Sequence, residues 1–74
     1  MDREKLRQYL NQTEKHIATS NQLVTDQRAL IARFEERGYD TARAKITLEH
    51  LEQLLELHIA DRDRLSRMLS ELGE

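Results

Sequence analysis

The sequence predicts an all-α protein, an antiparallel hairpin of two long helices, on three observations. Of its 74 residues, 35 % are charged and 4 % aromatic, with no Pro, Trp or Cys, which is the composition of long solvated helices. Its apolar residues recur in steps of four and three, the repeat of a helix seam. One glycine lies inside the chain, in "EERGYDTARA", and splits that pattern into two runs of similar length.

The first helix is expected from about residue 3 to Arg37. Leu10, Ile17, Val24 and Ile31 form one row at seven-residue spacing, and Tyr9, His16, Leu23 and Leu30 form its neighbour. The other seam row reads Leu6, Thr13, Ser20, Gln27 and Phe34, apolar at both ends and small or polar in the middle. Gly38 can take the left-handed conformation that ends a helix, because it has no Cβ to clash. Asp40 then stands where a carboxylate accepts from the free backbone N–H groups of the next helix's first turn.

The second helix is expected from Thr41 to about Leu72. Its Ala44, Leu48, Leu51, Leu55, His58, Arg62, Leu65, Leu69 and Leu72 continue the alternation of fours and threes. Leu54 and Met68 widen this seam on one flank, while Ile46, Leu57 and Ile59 lie off it. Each helix would be about 50 Å long at 1.5 Å per residue. A turn confined to residues 38–40 returns the chain antiparallel to itself.

A hairpin alone buries one stripe on each helix. The widened stripe of Leu10, Ile17, Val24, Ile31, Leu48, Leu51, Leu54, Leu55, Leu65 and Leu69 is therefore expected to draw in a second copy. The product would be a homodimeric four-helix bundle. The plainer alternative is a marginal monomer with apolar residues scattered over its surface.

The triplet His-Ile-Ala occurs twice, in "KHIATSNQLV" and in "LHIADRDRLS". Counting outward from Arg37 and Thr41 sets His16 near Arg62 and Ser20 near His58. The triplets then stand about one turn apart in the middle of the hairpin rather than face to face. His16, Ser20, His58, Asp61 and Arg62 read as one polar layer, with Asp61 free to pair with a His ring and Arg62 able to snorkel outward. The first reading of the layer is structural, since polar groups at seam positions fix register and partner number at some cost in stability. A second reading is a pH switch, because histidine ordinarily titrates near ~6.5. A third is metal binding, but its usual helical signature is absent. Carboxylate-bridged bundles place Glu three residues before His, whereas Thr13, Thr47 and Leu55 stand before His16, His50 and His58. No His-Glu-x-x-His occurs either, so no metal ligand set and no cofactor are expected.

Other chemistry is thinly represented. One internal glycine cannot build a phosphate-cradling loop. Ser20 near His58 lacks a visible nest of oxyanion donors, so no catalytic residue is expected and the chain reads as a non-enzyme. Nucleic acid is disfavoured as a partner: basic residues of the first helix are diluted by Asp2, Glu4, Glu14, Asp26, Glu35 and Glu36, and Glu49, Glu52 and Glu56 would repel phosphate. The formal net charge of -2 gives no general pull towards polyanions or membranes. Asp63 and Arg67 stand in the favoured i,i+4 order for a surface ion pair. A start of "MDREKLRQYL" without an apolar core, together with the absence of Cys, makes a cytoplasmic setting the expectation.

The pieces "HIA", "QRALIARFE", "GYDTARA" and "LHIADRDRL" together resemble a set of short uncharacterised helical proteins of alphaproteobacteria, of the kind abundant in rhizobia. The resemblance spans His16 to Leu65, and its most specific parts are Gly38-Tyr39-Asp40-Thr41 and Leu57 to Leu65. It implies a helical hairpin of unassigned function, and no catalytic or binding residue carries over from it. It also implies an acidic residue three after the Asp cap, where this chain has Arg43, a departure that touches only the strength of the cap. The expected role is thus a small interaction or scaffolding protein that self-associates and meets an unidentified protein partner. A nucleic-acid-binding bundle and a His-centred pH- or metal-responsive regulator stand as alternatives.

Overall fold

A computed structural model describes residues 2–73; the expected single domain over 1–74 includes Met1 and Glu74, which lie outside the described residues. Helix α1 (Arg3–Glu36) and helix α2 (Ala42–Glu71) pack against each other along their lengths. The molecule measures 55 × 14 × 13 Å. Helix α1 ends one residue before the expected Arg37, and α2 begins one residue after the expected Thr41. Both flanking residues are caps, half inside their helices.

Each helix end is closed by identifiable groups. The Asp2 side chain accepts from the Lys5 backbone N–H at 2.9 Å, satisfying one of the unpaired donors of the α1 first turn. At its other end, Tyr39 N–H donates to Phe34 C=O at 2.9 Å and Gly38 N–H to Glu35 C=O at 3.1 Å. With Gly38 at φ 72°, this pair of bonds is the Schellman ending. The Phe34 and Tyr39 rings meet edge to face at 5.8 Å and supply the apolar contact that accompanies it. Asp40 then accepts from the Ala42 N–H at 3.0 Å, as the sequence suggests, while Thr41 occupies the cap position without a side-chain bond.

The seam of α1 combines the Leu10 row with the Leu6 row, and that of α2 follows the sequence pattern. At the open end of the hairpin, Leu6, Leu65 and Leu69 form a buried cluster backed by Leu10 and Met68. Towards the turn, Val24, Ile31 and Ala44 are buried, and Gln27 Nε2 donates to the Ala44 carbonyl across the helices at 3.0 Å. Thr13 and Ser20 are buried between these two apolar stretches. The hairpin therefore uses most of the stripe expected to drive association. Of those ten residues, Val24, Ile31, Leu65 and Leu69 are buried and five are half-buried, leaving Leu54 exposed. The reason is geometric, because seam positions point at the partner helix within the same chain before they can meet another.

Candidate functional site

The seam has two flanks, and they differ in chemistry. Along one, Arg28 Nη2 donates to Glu52 Oε2 at 3.0 Å and Lys45 Nζ lies 3.8 Å from Glu35 Oε2, so charges of opposite sign bridge the two helices. Along the other, α1 contributes Tyr9, His16 and Leu23 and α2 contributes Leu54 and Asp61, all lining grooves between the helices. Tyr9, Leu23 and Leu54 keep 45 %, 44 % and 43 % of their surface in water. Of the row Tyr9, His16, Leu23 and Leu30, which the sequence sets beside the Leu10 row, the first three are thus left exposed by the hairpin and Leu30 is half-buried.

The two histidines meet on this flank. Their ring centroids lie 5.2 Å apart with the planes tilted by 49°. The expectation that the His-Ile-Ala triplets stand a turn apart is corrected at this point: His16 reaches His58, one helical turn closer to Gly38 than Arg62. Counting from the turn gives the height of each Cα, whereas a side chain seats among four residues spaced three and four along the facing helix. His58 is half-buried and His16 exposed, so the pair has one ring against the seam and one at the water.

The rest of the polar layer is placed as follows. Ser20 is buried and lines a groove with both histidines and with Leu23 and Leu54, near His58 as counted. Arg62 leaves the seam: its Nε and Nη2 donate to Asp63 Oδ1 at 3.2 and 3.0 Å, while its stem stays half-buried. That is the snorkelling expected of a long cation at an apolar position, and it takes the Asp63 oxygen that the sequence offers to Arg67. Asp61 does not engage a His ring here; its Oδ1 accepts from Arg64 Nη2 at 2.6 Å. Both groups, with Tyr9, Thr13, His16 and His58, line a groove of about 390 Å³. Thr13, buried in the same zone, belongs to the layer although the count from the turn did not assign it there.

The site can therefore offer two imidazoles in contact, one carboxylate already paired, and apolar surface on either side. Among the described residues no three His, Cys, Asp or Glu side chains stand close enough to hold a metal ion. Nor is any helix among them long and apolar enough to cross a membrane. No protein-family model, curated protein or solved structure matches the chain.

Proposed function

We propose that this chain is a non-enzymatic interaction module that pairs with a second copy of itself, flank to flank, as a four-helix bundle. The asymmetry between the flanks carries the reading. One flank is bridged by ion pairs, whereas the other presents Tyr9 and Leu23 of α1 and Leu54 of α2, each nearly half exposed, with exposed His16 between the first two. A two-fold pairing brings the same patch from both copies together, so these apolar side chains cover their own counterparts. The energetics argue for the same occupant. Among the described residues six apolar side chains are buried, and the sequence has no Cys to staple the hairpin; domains of this size need a staple or association to gain more than about 3–5 kcal/mol. A cysteine-free sequence accords with a reducing, cytoplasmic setting for such a module.

Sedimentation equilibrium of the parent chain, Leu23→Asp and Arg28→Gln tests the proposal. The parent and Arg28→Gln are expected to be dimers and Leu23→Asp a helical monomer. A parent chain that stays monomeric well above micromolar concentration would sink the reading. A dimer that survives Leu23→Asp would move the interface to another face.

A further inference from the structure

We propose that His16 and His58 are half of a transition-metal site, completed by the same pair of imidazoles from a second copy. The inference rests on the flank-to-flank dimer. Three observations carry it.

The first is the ring separation of 5.2 Å. Two imidazoles that share one tetrahedral ion through nitrogens about 2.1 Å from it have centroids about 5.3 Å apart. The histidines come from different helices, so the packing of α1 on α2 sets their approach, and both line the same solvent-open grooves.

The second is that the site is incomplete. Among the described residues no third ligand joins the pair, and Asp61, the nearest carboxylate in the groove, is bonded to Arg64. An ion held by one chain would keep coordination positions facing the uncovered flank.

The third is where the pair sits. Along the bundle axis, His58 lies about 2 Å and His16 about 5 Å from the mid-length of its own helix, at 1.5 Å per residue. Both offsets are towards the open end, so a two-fold axis level with the pair lies within a few ångströms of mid-length and brings the two pairs together while the hairpins overlap over nearly their whole length. Four neutral nitrogens in tetrahedral array are a ligand set that zinc accepts, and imidazole suits copper and nickel as well.

Zinc is the probe. The metal-stripped chain is dialysed against Zn²⁺, the zinc-to-chain ratio is measured, and sedimentation equilibrium is run with and without chelator. The same is done for His16→Gln, His58→Gln and, as a control on the outer surface, His50→Gln. The expected result is one zinc per two chains and a dimer at least ~10-fold tighter with zinc, both lost in the first two variants and kept in the third. If a Gln variant unfolds, imidazole resonances of the parent decide: zinc should shift those of His16 and His58 and leave His50 in place. A dimer that takes up no zinc overturns the metal site and leaves the association standing. One zinc on each monomer overturns the shared site and the dimer together. Uptake that persists without His16 and His58 assigns the metal to scattered surface ligands and overturns the inference.

Discussion

The two ends of the hairpin are held by different means. At the turn, the chain itself keeps the helices adjacent, supported by the Gly38 ending, the Phe34–Tyr39 edge contact, buried Ile31 and Ala44, and cross-helix links from Gln27 to Ala44 and from Lys45 to Glu35. At the open end, no covalent link joins Arg3 to Glu71. There the molecule concentrates its densest packing, with Leu6 at 1 % exposure against Leu65 and Leu69. Arg3 adds a bond at 2.8 Å to the Leu72 carbonyl, a cation at the negative end of the α2 dipole. Covalent closure and side-chain burial stand in for one another, because both keep two helix ends from drifting apart.

The largest break in that comparison is Leu65→Ala. Removing a buried leucine costs about 2–5 kcal/mol, comparable to the whole stability of a domain this small. The variant should lose most of its helix at room temperature by far-UV circular dichroism. A melt close to the parent's would mean that something other than this cluster holds the open end.

Gly38→Ala probes the closed end. A Cβ at Gly38 would meet nothing within 4 Å, so the cost is purely that of a left-handed backbone, about 1–2 kcal/mol. Thermal unfolding should show it, and Gly38→Asn should recover part of the loss, since Asn tolerates this conformation. Equal melting of the alanine variant and the parent would show that the turn contributes little beyond connectivity.

The smallest effect belongs to the bridge between the ends. Arg28 is largely exposed and Glu52 half-exposed, so Arg28→Gln should change stability by less than about 0.5 kcal/mol, and that little should vanish in high salt. A larger loss in urea titration would mark the charged flank as structural in its own right.

Much of this was legible in the sequence. The fours and threes, Gly38 and Asp40 place both helices to within a residue, whereas the stripe expected on the Leu10 row shares the burial with Leu6, Thr13 and Ser20 of the other seam row. The structure supplies the reason: small Thr13 and Ser20 leave room for the His58 ring, whose grooves they share, which the larger Tyr9, Leu23 and Leu30 row would not allow. Asp2 as a cap and Tyr39 as the partner of Phe34 carry local signals in the sequence, a capping residue before the helix and an aromatic just past the glycine. The meeting of the histidines was not legible, because contact across a seam depends on how each helix is rotated about its axis. Numbering records only height. Nor could the sequence say that Asp61 would turn to Arg64, since two acceptable partners were in reach.

The graded spacing of the cross-helix bonds has a kinetic consequence. Partners are 17 residues apart at Gln27–Ala44, 24 at Arg28–Glu52 and 69 at Arg3–Leu72. Each layer formed shortens the loop that the next must close, so the hairpin can zip outward from Gly38 without a costly long-range search. With no proline in the chain, no slow isomerisation interrupts it. Changes near the turn then act on the rate of folding, and changes at Leu6, Leu65 or Leu69 act on the rate of unfolding.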